Sequence, residues 1–97
     1  MVIISKTILN SFGLEHSDSI SALNEWYEIV KAADWSQLAD VRATFNSVDY
    51  VGNDRFVFNI RGNRYRLVVM IFFDIRTVFV RFVGTHKKYD AINAATI

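Results

Sequence analysis

The residues able to do chemistry are crowded into a short stretch of the chain. Asn59, Arg61, Arg64, Arg66 and Arg81 lead to a closing run of Thr85-His86-Lys87-Lys88-Tyr89. Residues 55–88 hold eight basic residues and one acid, Asp74, a net +7. Residues 1–54 hold three basic residues (Lys6, Lys31, Arg42) and eight acidic ones, a net −5. Asp90 adds −1, so the 97-residue chain sums to only +1. Such an asymmetry marks one side for a polyanion. On charge alone, an arginine-decorated sheet face exposed to water is an equal reading. Guanidinium forks match phosphate oxygens two at a time. A histidine exchanges protons near neutral pH. A tyrosine can stack on a base, or move a proton where cations surround it. His16 stands in a loop and carries no assigned role.

These residues need elements to bring them together. Val2-Ile3-Ile4 reads as a first strand. Lys6 to Phe12 reads as a short helix, with Ser5 as N-cap and Gly13 as its stop. Ser17-Asp18-Ser19 opens a longer helix whose Ile20, Leu23, Trp26, Tyr27 and Val30 keep helical spacing. Ser36 caps another short helix, Gln37 to Arg42. After residue 44 the period changes. Arg55 to Arg61, Arg64 to Phe73 and Val78 to Val83 read as strands of a meander. The first turn is Gly62-Asn63 and the second spans residues 74–77. A last helix runs from Thr85 or His86 to about Ala94. The layout is one α+β domain over residues 1–97, with N-terminal helices packed on an antiparallel sheet.

The turns fix an expected register. With Gly62-Asn63 as a two-residue loop, Arg61 opposes Arg64 and Asn59 opposes Arg66. Opposed residues share a face, so these four form one polar cluster. The other face reads Phe56, Phe58 and Ile60 against Val69, Leu67 and Tyr65, and should receive the helices. With Ile75-Arg76 as the second loop, Arg81 falls opposite Met70 on the cluster's face. Thr85 then comes level with Arg66, which delivers His86, Lys87, Lys88 and Tyr89 beside the guanidinium groups. Any single arginine could instead pair with an acid of the first half, such as Glu15, Glu25, Glu28, Asp34 or Asp40. For the whole set, a phosphate-binding site is the better account.

Missing residues narrow the chemistry. There is no Cys, so neither disulfide nor thiolate chemistry is available. The two histidines, His16 and His86, are far apart, and no carboxylate set suits a two-metal nuclease. No metal and no cofactor are expected. There is no Gly-rich phosphate loop and no basic helix-turn-helix. The longest apolar run, residues 67–73, is far too short to span a membrane. The N-terminus lacks the pattern of a signal peptide, so the expected address is the cytoplasm.

Two linked motifs add a resemblance. Val57-Phe58-Asn59-Ile60-Arg61-Gly62-Asn63-Arg64-Tyr65-Arg66-Leu67 and Phe79-Val80-Arg81-Phe82-Val83-Gly84-Thr85-His86-Lys87-Lys88-Tyr89-Asp90 are similar to the HigB toxins of type II toxin–antitoxin systems. That family belongs to the RelE-like group. The match covers residues 55–92 closely and residues 43–51 more loosely, where Asn46 stands at a position the family often gives to Pro.

The resemblance implies a compact RelE-like fold and ribosome-dependent, metal-independent cleavage of mRNA in the A site. It implies a neutralising HigA-like helix-turn-helix antitoxin, and contact with operator DNA only through it. In such a reaction the 2′-OH of a nucleotide attacks its own 3′ phosphate. The resemblance gives Arg66 charge stabilisation and His86 acid/base work. Tyr89 and Lys87 become candidates for proton transfer or base stacking. Asn59, Arg61, Arg64, Arg81 and Lys88 would bind and orient the RNA. RelE-like toxins often carry Lys where this chain has Asn59, which shifts general-base work toward His86. Two other functions stay open: a RelE-fold toxin that poisons a protein such as DNA gyrase, as ParE-type toxins do, and a non-catalytic RNA-binding module. The last would bind RNA with steep salt dependence and cut nothing.

Overall fold

The computed structural model describes residues 1–97. Five strands form one sheet in the order β1-β5-β4-β3-β2. They are β1 (Val2–Ile4), β2 (Asp49–Gly52), β3 (Arg55–Ile60), β4 (Tyr65–Phe72) and β5 (Thr77–Thr85). The helices are α1 (Lys6–Glu15), α2 (Ile20–Ala32), α3 (Leu38–Thr44) and α4 (His86–Asp90). The α+β class is as expected. The sheet is mixed rather than antiparallel, because β1 pairs with β5 in parallel, Ile3 against Val78.

Local chemistry explains the helices. In α2, Leu23, Trp26 and Val30 are buried at helical spacing, on the side that meets the sheet. Gly13 does not stop α1, which continues to Glu15. Its bare Cα admits the side chain of Ile20, whose Cγ1 lies 2.9 Å from where a Cβ would sit. Ser5 makes no side-chain cap and instead turns the chain at φ 75°. Ser36 is not the cap of α3 either. Its N–H and Oγ both donate to Asp40 Oδ2, at 2.9 and 3.0 Å, and Gln37 takes the cap position. The Ser36 N–H bond, followed by the Ser36 hydroxyl, holds the Asp40 carboxyl below its usual range.

The β3–β4 register is as the first turn demands: Asn59 opposes Arg66 and Ile60 opposes Tyr65. The β4–β5 register differs from expectation. The connection is a four-residue segment with a single 3-10 turn, Phe73–Ile75, closed by Arg76 at φ 51°. Met70 therefore opposes Phe79, not Arg81. A bulge then shifts the pairing: Val69 opposes Val80, Val68 opposes Phe82, and Arg81 is the extra residue between them. Beyond the bulge, Arg66 opposes Gly84 and Tyr65 opposes Thr85.

One face of the sheet carries the core. Phe56, Phe58, Ile60, Tyr65, Leu67, Val69, Ile71, Val78, Val80 and Val83 pack with Leu9, Leu23, Trp26 and Val30. The far face holds Val57 against Val68, and Asn59 against Arg66. Residues 91–97 return along the sheet instead of prolonging α4, which ends at Asp90. Asn53 Nδ2 donates to the Ala95 carbonyl at 2.9 Å, and Arg55 donates to the Ile97 carbonyl through Nε (3.1 Å) and Nη2 (2.7 Å). No helix is long and apolar enough to cross a membrane.

Candidate active site

Three strands set one row of residues on the far face. Asn59 of β3 opposes Arg66 of β4, and Arg66 opposes Gly84 of β5. The next row is Val57, Val68 and Phe82. Just past Gly84 the chain turns into α4, capped by Thr85, whose Oγ1 accepts the Lys88 N–H at 3.3 Å. This single helical turn carries His86, Lys87, Lys88 and Tyr89. Its Tyr89 ring lies under the Arg66 guanidinium, with Cζ 5.0 Å from the ring centroid. A cation held on a ring face is fixed in orientation and keeps its N–H groups free for an anion.

Hydrogen-bond satisfaction sets this region apart. Four buried side-chain polar atoms in the molecule have no partner: Trp26 Nε1, Asn59 Oδ1, Arg66 Nε and His86 Nε2. Three of the four belong to residues of this site. A buried donor or acceptor left unpaired costs about 1–3 kcal/mol. Native proteins leave few such atoms, and their gathering at one place points to a ligand that pairs them. Arg66 Nε is a donor. His86 Nε2 can give or take a proton. Asn59 Oδ1 accepts. A phosphodiester with its adjacent hydroxyl offers the complementary acceptors and donor.

The structure divides the cluster expected from the sequence. Asn59, Arg66, His86 and Tyr89 come together, and Lys87 and Lys88 stand exposed on the same turn. Arg61 and Arg64 do not join them. Arg61 adopts φ 54°, so strand alternation ends at Ile60 and the side chain leaves the cluster's face. Its Nη1 lies 2.6 Å from Asp18 Oδ2, and Arg64 Nε lies 3.3 Å from the same oxygen. The Tyr65 hydroxyl donates to Asp18 Oδ1 at 2.5 Å. That bond chiefly lowers the Asp18 carboxyl from its usual range, and the charges of Arg61 and Arg64 lower it further. The same bond, followed by burial, raises the Tyr65 phenol. Arg81, set by the bulge, shares the Ile97 carbonyl with Arg55, through Nε at 3.4 Å.

Asp18, not one of the acids named above, holds Arg61 and Arg64. It lies 43 residues before Arg61, and its sequence neighbours read only as a helix start. Arg55, at the start of β3, makes three hydrogen bonds through its guanidinium to main-chain carbonyls. No three His, Asp or Glu side chains are gathered where they could hold a metal ion.

Comparison with known proteins bears on the same segment. Residues 19–92 match the model of a family described as HigB_toxin, the RelE-like toxic component of a toxin–antitoxin system. The mRNA interferase HigB of Escherichia coli O6:H1 is 28% identical over 94 residues, covering 95% of this chain and 91% of that protein. The mRNA interferase toxin HigB of Escherichia coli K12 is 40% identical over 57 residues, covering 56% of this chain and 54% of that protein. The mRNA interferase HigB of Shigella flexneri gives the same figures, 40% over 57 residues.

Proposed function

The chain belongs to the HigB family of RelE-like toxins, and from that premise we propose how its site acts. It is the toxic component of a toxin–antitoxin module, so an antitoxin is its partner. Its activity is that of an mRNA interferase, an endoribonuclease that cuts messages, the activity its relatives are named for. We infer that it cuts translated mRNA in the ribosomal A site, in the cytoplasm and without a metal. The antitoxin would be HigA-like, with a helix-turn-helix through which the complex reaches operator DNA.

The proposed chemistry is internal transfer. The 2′-OH of one nucleotide attacks its own 3′ phosphorus. A 2′,3′-cyclic phosphate forms, and the bond to the 5′ oxygen of the next nucleotide breaks. The proton leaving the 2′-OH goes to a base, and the leaving 5′ oxygen takes one from an acid. Arg66 donates to the non-bridging oxygens as negative charge builds on them. His86 Nε2 is the first candidate to carry the proton, with Tyr89 and Lys87 as its counterparts. Asn59 accepts from a ribose hydroxyl. Lys87, Lys88 and the more distant Arg61, Arg64 and Arg81 attract the RNA backbone.

The observation that carries this reading is the trio of buried, unpartnered Asn59 Oδ1, Arg66 Nε and His86 Nε2, with the Arg66 guanidinium on the Tyr89 ring. The test is induced expression of the full chain with mapping of mRNA 5′ ends, alongside Arg66→Ala and His86→Ala. New 5′ ends inside translated codons, absent from both variants, are expected. Growth arrest with intact mRNA would move the target to a protein such as gyrase. RNA binding without cleavage in the wild type would leave only a binding module.

A further inference from the structure

Gly84 is buried, and its backbone is not among the left-handed positions of the chain. Conformational freedom therefore does not explain a glycine there. Space does. Phe82 Cζ lies 2.5 Å from where a Gly84 Cβ would sit, and the two Cε atoms lie at 3.2 and 3.3 Å. The ring enters end-on and fills the volume a side chain would take.

That volume is in the row of the active site. Gly84 is the direct cross-strand partner of Arg66, while Phe82 belongs to the row below, opposite Val68. Opposed Cβ positions on one face lie about 4.5–5.5 Å apart. The ring tip therefore stands beside the first carbons of the Arg66 side chain. Asn59 stands on the other side of Arg66, and Tyr89 lies across its guanidinium at 5.0 Å. Asn59, the Phe82 ring and Tyr89 thus flank the arginine on three sides.

We propose that Phe82 and Gly84 act together as positioning residues for Arg66: the bare glycine lets the phenylalanine ring lie beside the arginine and hold it in line for the phosphate. The proposal rests on the reading of the Arg66–His86 site given above. Neither residue touches the reacting atoms, so both act on the rate through Arg66.

The test is single-turnover cleavage of mRNA in programmed ribosomes by the purified full chain. Gly84→Ala, Phe82→Leu, their double variant and Arg66→Ala are compared, with ribosome binding and thermal unfolding measured on the same preparations. A methyl at Gly84 must push the ring aside, so Gly84→Ala should cut at about one tenth of the wild-type rate, since small misplacements of a catalytic group are costly. Ribosome affinity should stay within about twofold, which separates transition-state from ground-state effects. In the double variant the Ala methyl takes the room the shortened side chain leaves, so cleavage should return to within about threefold of wild type, a non-additive recovery. A double variant no faster than Gly84→Ala overturns the proposal. So does a Gly84→Ala protein that melts earlier yet cuts at the wild-type rate while folded. If Gly84→Ala fails to fold, Phe82→Leu decides by the same rate-against-affinity readout. If Arg66→Ala cuts normally, the site reading fails and this proposal with it. If only Arg66→Ala is inactive, the site stands and the positioning role is lost.

Discussion

Arg64 and Arg66 are two residues apart on one hairpin, and the molecule treats them in opposite ways. Arg64 reaches a carboxylate, Asp18, which also holds Arg61 and the Tyr65 hydroxyl. Arg66 reaches no carboxylate. Its Nε is buried and unpaired, and its guanidinium rests on a tyrosine ring. The first pattern ties the end of a hairpin to the segment between α1 and α2, and the donors it does not use there face water. The second leaves donors waiting. A positive charge alone does not separate a structural arginine from a functional one. Whether its donors are already spent does.

The largest effect expected from this difference is on cleavage. Arg66→Ala should lower the cleavage rate by about 10²- to 10³-fold, the usual loss for one preorganised donor to a developing oxyanion. Arg64→Ala should cost about tenfold or less, since only its long-range attraction for RNA is removed. Single-turnover rates below and at saturating ribosome measure both, the Arg64 loss vanishing at saturation and the Arg66 loss remaining. Equal losses would erase the distinction between the two arginines.

The next effect separates the two faces rather than the two arginines. Leu67 follows Arg66 in the chain but points into the core and is fully buried. Leu67→Ala should destabilise the fold by about 2–5 kcal/mol, from lost burial plus the cavity left behind. Denaturant unfolding measures this. Cleavage per folded molecule should change far less than in Arg66→Ala. A variant with wild-type stability but no cleavage would mean that the core face, not the far face, holds the chemistry.

Alternation along β3 and β4 made most of this legible from the sequence. Gly62-Asn63 fixed the first register, and with it the Asn59–Arg66 pair and the apolar face. The second register was not legible. Asp74-Ile75-Arg76 reads as a tight turn, but Phe73 joins it in a 3-10 turn, and the bulge at Arg81 has no sequence mark. β2 leaves no sequence signal because Asp49–Gly52 is short, half polar and paired with an irregular register. The parallel pairing of β1 with β5 joins residues some seventy-five apart, such as Val2 and Thr77, beyond any local signal. The role of Asp18 is hidden for the same reason. The pairing of an exposed acid with a hairpin that comes 43 residues later is decided by tertiary packing alone.

A smaller effect tests the satisfied side by pH. The Tyr65 hydrogen bond and the two arginines lower the Asp18 carboxyl below its ordinary 3.8. A lowered carboxyl contributes stability above the unfolded value, and loses it as pH falls through the folded one. The Tyr65 phenol is raised above its ordinary 10.0, so its contribution is present below that pH and lost as pH rises through the folded value. Asp18→Asn should lower the melting temperature by a few degrees at pH 7. It should also flatten the fall in stability below pH 3.8 while leaving cleavage by the folded protein intact. Melting curves from pH 2.5 to 7 measure it. An unchanged acid limb would mean that Asp18 does not clamp the hairpin.

The smallest effect marks the limit of counting pairs. Arg76 Nε lies 2.7 Å from Asp34 Oδ1, nearly as close as Arg61 lies to Asp18, yet the Asp34 side chain is 84% exposed against 34% for Asp18. Arg76 is placed by its own turn. Its backbone N–H bonds to the Phe73 carbonyl at 3.2 Å, and its Nη1 donates to the same oxygen. Removing Asp34 therefore leaves the guanidinium where it is, with water in place of the carboxylate. Asp34→Ala should cost about 0.5 kcal/mol or less, as exposed ion pairs do. Denaturant unfolding at low and high salt would show whether it costs more. A loss comparable to that of Asp18→Asn would mean that proximity, rather than the sharing of one partly shielded carboxylate among three donors, decides which pairs hold this fold together.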